Sequence, residues 1–282
     1  MPLVSLKEIL SDAEAKSYAV GLFNTVGTES LRAIISGAEE CNAPVILGIA
    51  EVHMPYAPLN LMAPMMVDAA KRSKVPVAVH LDHGQNFETI ISTMHYGFSS
   101  VMFDGSVLEY DENISRTREI VKVAKALGVS VEAELGHVGG AEGGGNDGHE
   151  EYYTEPEKAA DFVNQTEIDA LAIAIGTAHG EYLKKPCLDV NRLSEIDSIV
   201  DKPLVLHGGS GLSDEDFKEC IRRGIRKINI FTDMSFAAEK GLRKLFEQKK
   251  KFHSYELNDT TVEYMKNVVM EKIRLFGSDS KA

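Results

Sequence analysis

The stretch Pro203-Leu204-Val205-Leu206-His207-Gly208-Gly209-Ser210-Gly211 opens a unit that runs on to Lys227-Ile228-Asn229-Ile230-Phe231. It starts as an apolar run too short for a helix and breaks at glycines. It continues through 214–223 with helical spacing, stops at Gly224 and resumes as a second apolar run. This is the order strand, helix, strand. Working outward, the same unit recurs along the chain. Apolar or β-branched runs fall at 18–24, 44–50, 76–82, 99–104, 129–135, 170–176, 203–207 and 227–231, with helical segments at 29–40, 60–73 and 114–127 between them. The runs are too continuously apolar to have a wet face, as expected of parallel strands covered on both sides.

Eight such units close a barrel, and about 250 residues is the usual length of one. The 282 residues are therefore read as one α/β domain, a (β/α)8 TIM barrel over 1–282. Residues 6–15 are expected to cap its bottom, and 233–251 with 261–276 to form a C-terminal helical extension. An open doubly wound sheet is the alternative, but Asn24-Thr25-Val26-Gly27 is not the dinucleotide fingerprint its first turn would carry. The one long irregular stretch, 136–155, contains Gly-Gly-Ala-Glu-Gly-Gly-Gly-Asn-Asp-Gly at 139–148 and is read as a lid.

With 44% hydrophobic and 26% charged residues the chain is expected to be globular. Its 43 acidic against 30 basic residues give a formal charge of −13, which disfavours nucleic acid and anionic membrane as partners. Cys41, Cys187 and Cys220 are odd in number and widely spaced, so reduced thiols in the cytoplasm are expected rather than a disulfide framework. The first eight residues lack a signal-peptide pattern, and no apolar run is long enough to span a bilayer.

Polar residues at the C-terminal ends of barrel strands face one mouth. Here those ends read Leu81-Asp82-His83-Gly84, Glu132-Ala133-Glu134-Leu135-Gly136, Gly176-Thr177-Ala178-His179-Gly180 and Leu206-His207-Gly208-Gly209. Any one of these histidines alone reads as a hydrogen-bonded structural residue. Three of them, His83, His179 and His207, each beside a glycine or a strand end, offer the three nitrogens of a catalytic zinc site with an open position. Glu134 is a further candidate ligand or orienting partner, and Glu132 shares its strand parity. Asp82 is a candidate catalytic group if the strand end turns enough to face it the same way as His83. His80 is read as barrel filling, and His53, His95, His137, His149 and His253 as solvated or helix-surface residues, with His137, close to the lid, kept as a weak site candidate. After strands seven and eight, Gly208, Gly209, Ser210, Asn229, Thr232 and Asp233 lie where backbone N–H groups and a helix start can hold a phosphate. By itself the glycine run reads equally well as a tight turn. Lys184 is a possible extra cation and Asn24 a further substrate-binding candidate.

Together these strings resemble the class II, zinc-dependent ketose-bisphosphate aldolases, nearer the tagatose-bisphosphate than the long fructose-bisphosphate branch. The matching pieces include Val79-His80-Leu81-Asp82-His83, Val131-Glu132-Ala133-Glu134-Leu135-Gly136 and Ile175-Gly176-Thr177-Ala178-His179-Gly180, along with Leu206-His207-Gly208-Gly209-Ser210-Gly211 and Lys227-Ile228-Asn229. The resemblance implies a barrel that assembles as a homodimer or homotetramer and a zinc ion at His83, His179 and His207 with Glu134 near it. It also implies Na+ or K+ near the Gly180 and Gly208 carbonyls. It implies cleavage of a phosphorylated ketose to dihydroxyacetone phosphate and an aldehyde. Asp82 would handle the hydroxyl proton at the cleaved bond and Glu142 the proton on the dihydroxyacetone phosphate carbon. Gly180, Gly208, Ser210, Asn229 and Thr232 would surround the phosphate, and Asp233 the hydroxyl end. The segment 255–264 has no arginine or lysine for a distal phosphate, and strand two ends in Ala50-Glu51 where the fructose branch has a serine. A metal-dependent hydrolase on the same barrel, or a sugar-phosphate binder without catalysis, are the other readings.

Overall fold

In a computed structural model, which describes residues 2–139, 153–180, 182 and 186–282, the eight runs form eight parallel strands closed into a barrel in chain order. They are β1 (Val20–Asn24), β2 (Val45–Ala50), β3 (Val77–Gly84), β4 (Ser100–Phe103), β5 (Ser130–Leu135), β6 (Ala170–Ile173), β7 (Leu204–Leu206) and β8 (Ile225–Ile230). Leu22 of β1 stands opposite Ile46 on one side and Asn229 on the other, so the first and last strands seal the ring. The fold is a (β/α)8 barrel, and the open-sheet alternative is excluded. The sixth strand is shorter than its apolar run because Thr154 takes up the next backbone groups. Its N–H donates to Ala174 O at 3.0 Å, and its hydroxyl accepts from the Ala174 N–H at 2.8 Å.

The near-continuous hydrophobicity of the strands resolves into two layers, because alternate side chains face opposite sides of the wall. Outward residues such as Phe23, Leu47, Val79, Val131 and Leu171 pack with the surrounding helices. Inward residues Leu22, Ile46, Ala78, Met102, Ala172 and Val205 form a separate cluster with Leu6, Ile9, Leu10 and Ala13. Those four lie on α1 (Leu6–Lys16), whose apolar stripe therefore plugs the lower end of the barrel, as its sequence position suggests. Ser5 starts the helix: its hydroxyl accepts from the Glu8 N–H at 3.2 Å while the Glu8 carboxylate accepts from the Ser5 N–H at 2.8 Å, a reciprocal cap.

Between the strands lie α2 (Thr28–Glu40), α3 (Leu59–Arg72), α4 (Phe87–His95), α5 (Tyr110–Leu127), α6 (Pro156–Thr166), α7 (Val190–Ile199) and α8 (Asp214–Arg222), with a short 3-10 helix, Glu51–His53, after β2. The C-terminal extension is α9 (Thr232–Gln248) and α10 (Ser254–Leu275). It doubles back over α2, and the chain end returns to the foot of β1, where the Ala19 N–H donates to Phe276 O at 3.1 Å. No helix among the described residues is long and apolar enough to cross a membrane.

Candidate functional site

Asp82 and His83 are neighbours on β3, and on a regular strand they would face opposite sides of the wall. His83 instead takes a left-handed backbone with φ 45°, and the β3–β4 ladder slips register between Leu81 and Gly84. This bulge turns both side chains into the barrel, where they are buried. A non-glycine residue at positive φ costs on the order of 1–3 kcal/mol and persists only where its surroundings fix it. Here the fixing contact is Asp104, just past β4, whose Oδ2 lies 2.8 Å from His83 Nδ1.

With Nδ1 held by Asp104, His83 Nε2 points to the barrel axis. It lies 3.1 Å from His179 Nε2, on the loop after β6, and 2.8 Å from His207 Nδ1, just after β7. The three rings stand nearly perpendicular in pairs, with centroids 4.5 to 5.8 Å apart. His207 is oriented from behind: its Nε2 lies 3.0 Å from Glu132 Oε1, which leaves Nδ1 to face the other two. Around a tetrahedral zinc with bonds of about 2.0–2.1 Å, the nitrogens would stand ~3.3 Å apart. A shift of a few tenths of an ångström from the distances found would admit such an ion. Carboxylates behind imidazoles that converge through single lone pairs are the usual construction of a metal centre. Glu134 also fits the group: its carboxylate lies with His83 and Asp104 within 4.8 Å, and its Oε1 accepts from the Val138 N–H at 3.2 Å.

The electrostatics show what happens to two buried imidazoles and a half-buried third with acids around them. Burial opposes charge on His83, but Asp82, Asp104 and Glu134 outweigh it and push the ring up to about 10. Burial and the positive His83 hold both His179 and His207 below the usual histidine value. One cation is therefore favoured at this point and three are not. Burial and the Asp104 charge push Glu134 well above the usual carboxylate range. Burial acts the same way on Asp82, but His83, His207 and Lys227 override it and hold that carboxyl well below the range.

Asp82 is also clamped. Its Oδ2 accepts from Asn24 Nδ2 and its Oδ1 from Asn229 Nδ2, each at 2.8 Å. Since β1 and β8 flank the seam of the barrel, these two amides aim the carboxylate from one side. Glu132, shown by its parity to face inward, pairs with Lys227 Nζ at 2.9 Å from across the barrel. His80, 2.5 Å from Ser100 Oγ through Nδ1, fills the space beneath as expected.

The phosphate candidates also come together. Asn24, His179, Gly180, Gly208, Gly209, Ser210, Asn229 and Thr232 line one small cavity with Phe231 at the start of α9. Ser210 Oγ accepts from the backbone N–H groups of Phe231 and Asp233, both at 3.3 Å, so it ties the β7 loop to that helix start. Gly208 sits at φ 64°, and a Cβ there would stand 2.5 Å from Ala178 O, so no other residue fits the turn. Its carbonyl, a suggested cation ligand, accepts from the Tyr182 hydroxyl at 2.8 Å. Asp233 turns its carboxylate away from this cavity to Lys272 Nζ of α10, 2.9 Å away.

Glu142, Lys184 and His149 lie outside the described residues. Two histidines read as solvated are not. His137 is buried with Nδ1 3.1 Å from Ser106 Oγ, and His53 is half-buried against Phe231. The carboxylate of Glu51 is not free at the mouth either. It accepts from the Gln85 N–H at 2.6 Å, the Thr89 hydroxyl at 3.0 Å and Asn86, and so secures the start of α4. Sequence reasoning missed Asp104 and Lys227. Asp104 ends the fourth apolar run, and the strand-end argument that found Asp82 would have found it. The only sequence sign of Lys227 is a charge inside a strand.

The family described as fructose-bisphosphate aldolase class-II matches residues 4–281. The chain is 40% identical to the probable fructose-bisphosphate aldolase of Bacillus subtilis (strain 168), over 100% of both chains. It is 39% identical to the fructose-bisphosphate aldolase of Thermus caldophilus, over 99% of this chain and 100% of that one. The crystal structure of the YdjI aldolase from Escherichia coli K12 superposes with a TM-score of 0.89 at 37% identity, covering 99% of each chain. These matches favour carbon–carbon cleavage over metal-dependent hydrolysis and over binding without catalysis. Alike from end to end in sequence and barrel, the chain belongs to the class-II fructose-bisphosphate aldolase family and is an aldolase, a lyase.

Proposed function

We propose that this aldolase is zinc-dependent and reversibly cleaves a ketose 1-phosphate or 1,6-bisphosphate, of the fructose or tagatose type, into dihydroxyacetone phosphate and an aldehyde. The observation that carries the reading is the meeting of His83, His179 and His207 beside the clamped Asp82 and next to the Ser210 cavity. Zinc bound by these imidazoles, with Glu134 in reach, would supply Lewis-acid stabilisation of the negative charge that develops beside the substrate ketone.

The cavity at the ends of β7 and β8 holds the 1-phosphate through backbone N–H groups, Ser210 and the positive end of α9. This needs few cations, and Lys184, by its place in the sequence after His179, is proposed to add one. Asp82, ionised and aimed by Asn24 and Asn229, takes the proton from the C4 hydroxyl. The C3–C4 electron pair stays with the dihydroxyacetone half as the aldehyde forms, and Glu142 then delivers a proton to C3. Asp233 acts at the hydroxyl end once its pairing with Lys272 yields. Na+ or K+ at the Gly180 and Gly208 carbonyls would compete with the Tyr182 hydroxyl. The three free cysteines suit the cytoplasm, and the active form is a homodimer or homotetramer.

The test is a panel of ketose mono- and bisphosphates with zinc-reconstituted protein, read by a coupled triose-phosphate reductase. Release of dihydroxyacetone phosphate is expected, with loss of at least about a hundredfold in Asp82→Asn at unchanged zinc content. Hydrolysis of an ester or amide with no triose phosphate would overturn the reading. Because 255–264 offers no cation, the 1-phosphate and the 1,6-bisphosphate are expected to have KM values within about threefold, less than one charge-assisted hydrogen bond is worth. Sedimentation or light scattering reads the assembly.

A further inference from the structure

The end of β2 differs from the other strand ends around the mouth. The other seven bring Asn24, Asp82 with His83, Asp104, Glu134, His179, His207 or Asn229 to the site. β2 ends in the apolar Ala50, and Glu51 is committed to α4. What this strand does supply is His53, the last residue of the short helix that follows it.

The ring centroid of His53 lies 4.2 Å from that of Phe231, tilted 41°. Phe231 is a wall of the phosphate cavity. The charges of Asp82 and His83 are also close enough to act on the ring. His53 therefore packs against a wall of the phosphate cavity, within reach of the Asp82 charge. Its backbone carbonyl accepts from the Tyr56 and Ala57 N–H groups, both at 3.0 Å, which fixes where the ring leaves the chain. Its Nδ1 is buried, with no partner among the described residues.

We propose that His53 is a specificity-determining residue whose Nδ1 hydrogen-bonds a hydroxyl of the bound ketose phosphate, beside the Phe231 wall of the phosphate cavity. This deepens the aldolase reading above and rests on it. A buried ring nitrogen without a partner is costly unless something that binds supplies one. Burial pushes the imidazole below its usual value despite the opposing charge of Asp82, so at neutral pH the ring is uncharged. A neutral imidazole offers one donor and one acceptor, which matches a hydroxyl, itself both donor and acceptor, better than it matches a phosphate. Phe231 packs against the ring and limits its rotation, so the contact is directional and discriminates between epimers that present the hydroxyl differently.

The experiment compares wild type, His53→Phe, which keeps the stacking, and His53→Gln, which keeps a neutral hydrogen-bonding group. Binding of fructose and tagatose 1,6-bisphosphate is measured by calorimetry on metal-free protein, and KM and kcat for both are measured with zinc. The Phe variant is expected to bind the preferred epimer about tenfold more weakly and to show a KM raised by about the same factor, the worth of one neutral hydrogen bond. Its kcat and zinc content should hold and its epimer preference narrow, and Gln should restore part of the loss. Equal binding and equal epimer preference in all three proteins would overturn the proposal. So would a loss confined to kcat, or one that Gln shares in full. If wild type binds the sugars but cleaves none, the aldolase reading fails while the calorimetry still decides for or against His53. If wild type binds neither sugar, both fall.

Discussion

His83 carries two constraints at once, a left-handed backbone and a ring that must present one nitrogen to the barrel axis. Asp104 satisfies both, since its carboxylate fixes the tautomer and braces the bulge. Asp104→Asn keeps the shape but weakens the pull on the Nδ1 proton. Zinc affinity, read by competition with a chromogenic chelator, is expected to fall about 10- to 100-fold, while His207→Ala loses stoichiometric zinc altogether. Unchanged affinity in the asparagine variant would separate Asp104 from the metal site. At this scale the sequence is informative about identity and silent about pose. The residue types at His83, His179 and His207 show in the letters, and so does the doubt about Asp82 sharing a side with His83. The bulge that resolves the doubt does not, because a register slip between two strands leaves no mark in either strand's own sequence. His53 was misread for a related reason: its burial depends on Phe231, which lies 178 residues further along the chain.

At the scale of elements, β5 and β8 are not neighbours, yet Glu132 and Lys227 meet across the barrel. Burial opposes charge on Glu132, but Lys227 and the hydrogen bond from His207 hold it down at about 2. Its folded value lies below the usual one, so its stabilising contribution is whole above pH 4.5 and is lost as pH falls toward 2. The thermal midpoint of metal-free protein is expected to drop across that window. Lys227→Met should move the drop to higher pH and destabilise by about 3–5 kcal/mol, since it strands a buried carboxylate. A midpoint flat between pH 4.5 and 2 would contradict the pairing. Strand order and helix positions were readable because period and glycine stops are local signals. That Lys227 reaches Glu132 was not, because burial of a lysine depends on a partner that only the closed barrel brings near.

For the molecule as a whole, α10 binds the last strand's helix to the first, so the ring is fastened at its seam. Gly241 of α9 marks how tightly: a Cβ there would stand 2.6 Å from Tyr264 Cδ2. Gly241→Ala is expected to destabilise by about 1–3 kcal/mol through overpacking. We infer that 1–282 behaves as one domain, so this loss should shift a single transition seen alike by near-UV and far-UV circular dichroism. Two separated transitions would refute that. Closure into one barrel was legible from the count of eight apolar runs. The way the tail returns to the foot of β1 was not, because helix-on-helix packing is set by which small residues happen to face each other.

The plug formed by α1 has a kinetic consequence. Among the described residues the base of the barrel is filled by α1 and the inward side chains, so the ketose and both of its fragments are expected to pass through the opening at the strand ends in turn. On the proposed binding of the phosphorylated half at Ser210 and the start of α9, that half is expected to depart second. Triose phosphate should therefore inhibit competitively against the ketose, and the aldehyde should not.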